Sequence, residues 1–342
     1  MNVQEYVDLK KFSTMRLGGK ARWLAEAAND KDVQDLVLWA RQKNAPVVMI
    51  GDGSNVIWRD EGFEGLVIVN RILGREVLQE NANGAVVRVG AGEVWDDIVG
   101  WTVDKGLSGI EFLSLIPGKV GAAPVQNIGA YGKEISSVLM GVGAYDTKND
   151  SFDTVLASGS GFSYRDSRFK STDRGRFLIT SVTMRLFNTK PEPPFYASLT
   201  DYLNEHGITD FTPAAIREAV TAIRKGKLPD PTQVANNGSF FINPVIGQSK
   251  LEQIRQKYPD AVSWPASEGK TKISAGWMIE KAGFKGYHDQ LTGMGVWPNS
   301  ALIVINEHAK TTADLLAFKQ KIVDKIKTEF DIELVQEPEI LP

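Results

Sequence analysis

Apolar and polar positions along the first 190 residues follow two alternating rhythms. Ala21–Ala27 reads as a strand. Asn29 or Asp30 can then cap a helix whose stripe is Val33, Leu36, Val37 and Ala40, with Asn44 closing it in the left-handed conformation. Pro46–Ile50 is an apolar run too short for a helix and predicts a buried strand, so this stretch is a strand–helix–strand unit. A second unit begins with the strand Val86–Val89, passes Gly90-Ala91-Gly92, and enters a helix with Val94, Ile98 and Trp101 inward and Gly106 as its stop. Val142–Tyr145 and Phe177–Leu186 predict further strands, the latter alternating through Ile179, Val182 and Met184.

Pro191-Glu192-Pro193-Pro194 marks the expected domain boundary. Beyond it, Thr212 and Pro213 start a helix striped by Ile216, Ala219, Val220 and Ile223, and Gly226 ends it. Lys227–Asn237 is irregular. A last helix runs over Thr312–Phe330 with Leu315, Phe318, Ile322, Ile326 and Phe330 inward. The fold class expected is α+β, with residues 1–190 as one region of two subdomains split near 70 and residues 191–342 as a second domain.

Composition narrows the function. Thirty-nine Lys and Arg against 42 Asp and Glu leave a net charge of −3, which removes the basic footprint of a dedicated nucleic-acid binder. Without cysteine there is no thiolate chemistry, disulfide or iron–sulfur site. The three histidines, His206, His288 and His308, have no zinc-enzyme spacing, so no metal is expected. With no signal-like N-terminus and no apolar run of membrane length, the expectation is a cytoplasmic protein without membrane insertion, and a monomer.

Five segments carry candidate chemistry. Gly51-Asp52-Gly53-Ser54-Asn55 follows a strand; its glycines let backbone N–H groups converge on an anion, or it is an ordinary tight turn. It is not a P-loop, because Gly-x4-Gly-Lys-Ser/Thr is missing, and not a dinucleotide fingerprint, because no helix follows and Val56-Ile57-Trp58 reads as extended. Residues 115–132 hold four glycines within a small-residue run, with Gln126 and Asn127 offering donors and acceptors to a heterocycle; the alternative is a close packing crossing. Arg165, between Tyr164 and Asp166, can fork onto a carboxylate or phosphate, or pair with Asp166 on the surface. Asn236–Pro244 is a polar turn entering an apolar strand. Ser239 within it lacks the surroundings of a hydrolase nucleophile, and turn chemistry is the competing account. The tail Gln336–Pro342 is acidic, and it matters only if it folds back.

Taken in order, Gly-Asp-Gly-Ser-Asn, the Ile116–Gly132 run, Tyr-Arg-Asp-Ser-x-Phe-Lys, Lys-Leu-Pro-Asp-Pro, Gly-Ser-Phe-Phe-x-Asn-Pro, Ala-Gly-Trp and Glu-Pro-Glu resemble the UDP-N-acetylenolpyruvoylglucosamine reductase family from Thr14 to Ile340. Phe195–Leu199 resembles the tyrosine-bearing loop of its type I branch. The resemblance implies a two-subdomain FAD-binding region followed by a substrate domain. It implies noncovalent FAD held by Ile50, Gly51, Gly53, Ser54, Asn55, Ile116, Pro117, Gly118, Ala122, Ala123, Gln126, Asn127 and Gly129. It further implies NADPH as co-substrate, with hydride passing through flavin N5 to the enolpyruvyl C3 and a proton reaching C2. The product would be UDP-N-acetylmuramate, for peptidoglycan synthesis. By the same carry-over Arg165 polarises the substrate carboxylate, Glu339 works with it, Ser239 donates the proton, and Tyr196, Lys227 and Asn243 hold the diphosphate. Glu339, not Glu337, is the glutamate expected to fold back, ordered by a strand over Glu333–Gln336. Departures fall at Ile242, where relatives often have lysine, and at Trp297–Ser300. The alternatives are another noncovalent-FAD oxidoreductase of the same superfamily and a nucleotide-binding protein without catalysis.

Overall fold

The computed structural model describes residues 2–342. Helices and strands mix throughout, so the class is α+β, as expected. Among the described residues no helix is long and apolar enough to cross a membrane.

The chain divides into two compact units, and neither is continuous in sequence. The first comprises residues 1–7, 21–52 and 64–226; the second comprises 8–20, 53–63 and 227–342. Within the first unit, one sheet orders the strands Gln4–Asp8, Lys20–Ala27, Phe63–Asn70 and Val47–Ile50. Val47–Ile50 pairs in parallel with Phe63–Asn70, and the helix Asp30–Gln42 connects Lys20–Ala27 to Val47–Ile50. The local signals behave as read. The Asn29 side chain caps that helix by accepting from Asp32 N–H at 2.9 Å, and Asn44 adopts φ 52° just beyond it. The second sheet orders Ser151–Leu156, Leu139–Asp146, Phe177–Phe187, Gly84–Gly90 and Arg75–Asn81, all antiparallel. Its buried face packs on the helix Trp95–Asp104. That helix starts one residue later than expected and turns Trp95, Ile98, Val99 and Thr102 inward; Val94 is its exposed N-cap.

The expected break at 191–194 lies inside this first unit. Residues beyond it stay attached through apolar contact: Leu199, Leu203, Ile216, Ala219 and Val220 form a cluster with Phe112. The helix Pro213–Lys227 also runs through Gly226, which keeps an ordinary helical backbone and does not stop it.

The second unit has one core, in which Met15, Leu17 and Ile57 join Phe240, Phe241, Met278, Phe318, Ile322 and Phe330. The helix Thr312–Phe330 matches its predicted bounds and face, and its N-terminus carries a Thr311–Asp314 capping box. One sheet orders Ala235–Ser239, Ile303–Asn306, Met294–Val296 and His288–Asp289. The strand expected in the apolar run after Ser239 is instead the polar stretch Ala235–Ser239 ahead of it, because Asn236 and Ser239 pair with Ile305 and Ile303. The tail strand is Glu339–Leu341, in parallel with Val56–Trp58; Glu333–Gln336 forms no strand, only a bridge between Gln336 and Phe241.

Candidate active site

In the first unit the two glycine-bearing segments meet. A Cβ on Gly51 would come within 2.9 Å of the Lys119 side chain, so only glycine fits there. Lys119 Nζ lies 3.5 Å from Asp52 Oδ2 beside it. Residues 118–121 are stitched to the Gly90–Glu93 turn: Gly121 N–H donates to Ala91 O at 2.9 Å and Val120 N–H to Glu93 O at 3.0 Å. A Cβ on Gly121 would strike that of Ala91 at 2.6 Å. Ile50 and Ala123 are buried, Ile116, Gly118, Gln126 and Gly129 are half-buried, and Pro117 and Ala122 are exposed.

Asn127 faces inward. Its Nδ2 donates to Glu134 Oε2 at 2.8 Å and to Ser163 O at 3.0 Å, while its Oδ1 accepts from Ser136 N–H at 3.1 Å. Its amide therefore braces the turn at Ser163–Asp166, where those two residues exchange backbone hydrogen bonds. Within that turn Arg165 takes φ 57°, and its Nη2 donates to Gly129 O at 2.7 Å. Leu115, Asn127, Tyr131 and Arg165 all have φ between 49° and 59°. Side chains other than glycine tolerate that region at a cost, and such residues concentrate where geometry matters to function.

Two aromatic rings and a second arginine share this neighbourhood. Tyr196, at the start of the helix Ala197–Glu205, sets its ring edge-on to Tyr131 at 5.9 Å. Burial raises the phenol pKa of both. Arg224 sits on the last turn of the helix Pro213–Lys227. Its Nη2 reaches Leu115 O at 3.4 Å, and its Nε is buried without a hydrogen-bond partner among the described residues. Burial lowers its pKa, Tyr131 and Asp96 oppose that, and the like charge of Arg165 adds to it. Arg217, two turns earlier on the same face, is spent on Asp96 at 2.7 and 2.9 Å. Burial pushes the Asp96 carboxyl up, but hydrogen bonds from Arg217 and Leu115 N–H outweigh it and hold it low. A structural arginine and an arginine with an unused donor thus line one helix face. Arg224 is not among the residues the sequence singled out: at helical spacing it only flanks the stripe of Ile216, Ala219 and Val220, and no local signal marks it.

In the second unit, Gly53 takes φ 67° where a Cβ would collide with Phe12 O at 2.0 Å. The buried Asn237 holds this turn, its Nδ2 donating to Ser54 O and Thr14 Oγ1, both at 3.1 Å. Gly238, at φ 71°, then turns the chain so that Ser239, half-buried, pairs with Ile303. Glu339 opens the tail strand, and its N–H donates to Asn55 O at 2.9 Å. Asn243 Oδ1 accepts from Ala275 N–H at 2.9 Å at the start of the helix Ala275–Lys281. Lys227 is exposed. Arg165 and Tyr196 belong to the first unit; Ser239, Asn243 and Glu339 belong to the second.

Residues 21–149 match an FAD binding domain family, and residues 230–341 match the UDP-N-acetylenolpyruvoylglucosamine reductase C-terminal domain. A UDP-N-acetylenolpyruvoylglucosamine reductase of Pseudomonas aeruginosa is 37% identical over 340 residues, covering 99% of both chains. That of Pseudomonas putida is 39% identical over 337 residues, covering 98% of each. The crystal structure of the reductase of the same name from Thermus caldophilus aligns over 100% of both chains with a TM-score of 0.67 at 24% identity, a likeness of fold.

Proposed function

The chain belongs to the UDP-N-acetylenolpyruvoylglucosamine reductase family, and from that premise we propose that it is an NADPH-dependent flavoenzyme reducing UDP-N-acetylenolpyruvoylglucosamine to UDP-N-acetylmuramate in the cytoplasm. The observation that carries this reading is the pair of arginines at residues 165 and 224. One is fixed through Gly129 in a strained turn, and the other is half-buried, with its Nε enclosed and without a hydrogen-bond partner among the described residues. Two such groups suit a ligand bearing anionic oxygens.

The residues present fit a noncovalent FAD. At Gly51 and Gly53 a Cβ would strike the Lys119 side chain and the Phe12 carbonyl, so this turn carries no side chain at either position and its backbone N–H groups are what it would offer an anionic ligand. Ile50–Asn55 and Ile116–Gly129 would hold it, with Asn127 contributing through the turn it braces. The chemistry FAD supplies when bound is two-electron carriage from NADPH to the enolpyruvyl group.

The chain's own residues have separate tasks. Arg165, held by Gly129, presents its guanidinium to the substrate carboxylate and stabilises charge that develops there; one aimed donor contributes on the order of 3 kcal/mol. Ser239 Oγ delivers a proton to C2, which a serine can do only to a strongly basic, carbanion-like centre. Glu339, seated against Asn55, acts with Arg165 on that charge. Tyr196, Lys227 and Asn243 grip the diphosphate, which does not change in the reaction.

NADPH oxidation by the purified yellow protein, with and without UDP-N-acetylenolpyruvoylglucosamine, tests the reading. Substrate-dependent NADPH consumption with formation of UDP-N-acetylmuramate is expected. Colourless protein that FAD does not reconstitute, or NADPH oxidation indifferent to the substrate, overturns it.

A further inference from the structure

The segment that carries Glu339 is tied down on both sides. Ahead of it, Ile242 N–H donates to Val335 O at 2.9 Å and Glu337 N–H to Phe240 O at 2.8 Å. Residues 335–337 therefore run antiparallel beside the stretch that directly follows Ser239. Behind it, Glu339–Leu341 pairs with Val56–Trp58. Pro338 is the joint. It has no N–H to give to either pairing, and it is buried, so its carbonyl needs an internal partner. Gln336 provides one: its Nε2 donates to Pro338 O at 2.8 Å. The other end of the same amide is also fixed, because Lys319 Nζ, from the helix Thr312–Phe330, donates to Gln336 Oε1 at 2.8 Å. An amide engaged at both ends has one orientation. Burial lowers the Lys319 pKa, so its ammonium is held at a cost that a solvated lysine would escape.

We propose that Lys319 and Gln336 form a side-chain relay that sets the turn at Pro338 and so aims the Glu339 carboxylate, which makes both of them positioning residues for substrate reduction. The inference rests on the role given to Glu339 above. Both flanking pairings are main-chain ladders that do not need the relay. Its loss therefore loosens one turn and leaves the fold in place. A reacting group displaced by about an ångström can lose on the order of 100-fold in rate.

The test uses the FAD-loaded full chain and the variants Gln336→Leu, Gln336→Glu, Lys319→Met and Lys319→Arg. Gln336→Glu is the sharpest, since it keeps the acceptor for Lys319 and removes the donor to Pro338 O. Two quantities are read: hydrogen exchange at the Glu339 amide, and the two half-reactions by rapid mixing. Gln336→Leu, Gln336→Glu and Lys319→Met should speed Glu339 exchange. They should also lower kcat for the UDP substrate by about 10-fold or more, with KM changed less than about twofold and flavin reduction by NADPH unaffected. Lys319→Arg should restore most of both. Unchanged exchange, or faster exchange with wild-type kcat, overturns the proposal; so does equal slowing of both half-reactions. Glu339→Gln run alongside separates the two claims. If it turns over normally, the role of Glu339 falls and the positioning role falls with it. If it is inactive while the Gln336 and Lys319 variants keep wild-type kcat, only the relay is overturned.

Discussion

Arg165 and Gly129 lie 36 residues apart in sequence and are joined by one hydrogen bond, from Nη2 to the carbonyl oxygen, at 2.7 Å. That bond uses one edge of the guanidinium to fix the direction of the rest. A Cβ on Gly129 would come within 3.0 Å of Arg165 Nη1, so the glycine also keeps the space the guanidinium needs. Lysine cannot reproduce this arrangement, because it has charge but no planar fork. Arg165→Lys should slow reduction of the enolpyruvyl substrate by about 10²-fold while NADPH still reduces the flavin at its normal rate. Separate half-reaction traces decide it: an unimpaired second half-reaction removes Arg165 from the chemistry.

Ser239→Ala should spare hydride delivery from NADPH and cripple turnover of the UDP substrate. A proton is required only in the second half, and a general acid typically contributes about 10²–10⁴-fold. Equal slowing of both halves would remove Ser239 from that role.

Arg224 sets stability against function. Its buried Nε has no hydrogen-bond partner among the described residues, and burial already works against its charge. Enclosing a charged group whose donor is left unpaired costs desolvation free energy that an apolar side chain of similar length escapes. Arg224→Met should therefore leave the melting temperature of the chain unchanged or higher, while substrate turnover drops by about 10-fold or more. A large fall in melting temperature would recast Arg224 as a structural residue like Arg217.

Lys227→Ala should raise KM for the UDP substrate about 10-fold with little change in kcat, because a diphosphate grip is equally strong in ground and transition states. An unchanged KM assigns Lys227 to the solvated surface.

Acid stability should turn on Asp146. Its buried carboxylate accepts from Arg176 Nη2 at 2.7 Å and Nε at 3.0 Å, and from Lys148 N–H at 2.9 Å. The Arg176 hydrogen bonds bring its pKa to about 2 against the burial that opposes them. The folded value lies below the ordinary 3.8, so the contribution is complete above about pH 4 and is lost as pH falls through 2. Asp146→Asn should cost about 2 kcal/mol at neutral pH and much less near pH 2, as read by denaturant melts at the two pH values.

What was legible in the sequence was whatever depends on a few neighbouring residues. The Asn29 cap, the Asn44 exit and the face of Thr312–Phe330 follow from local chemistry and period, and the structure has them as read. The apolar pair Phe240–Phe241 misled the strand assignment, because those rings are buried by packing into the second core while the ladder lies ahead of them. Pro191–Pro194 looked like a boundary because prolines break elements. Attachment is decided instead by apolar contact, and Leu199 and Ile216 are bound to Phe112. Arg224 and the Lys319–Gln336 contact were invisible for another reason. Their meaning comes from groups that folding brings together: Leu115 and Tyr131 beside Arg224, and Lys319 beside Gln336.

The strand Glu339–Leu341 lies against Val56–Trp58, and residues 8–20 and 53–63 count with 227–342. A fragment cut at the sequence-family limits, 230–341, would therefore lack Met15, Leu17 and Ile57 from its core and the partner of its final strand. It is not an autonomous piece that could be excised or grafted elsewhere. During synthesis the early segments must wait, unpaired, until residue 341 has been made, and loop closure over so long a span is slow. Assembly of this half is consequently a late event, and a chain that stalls a few residues short would leave Val56–Trp58 as an open edge, ready to pair with whatever strand it meets.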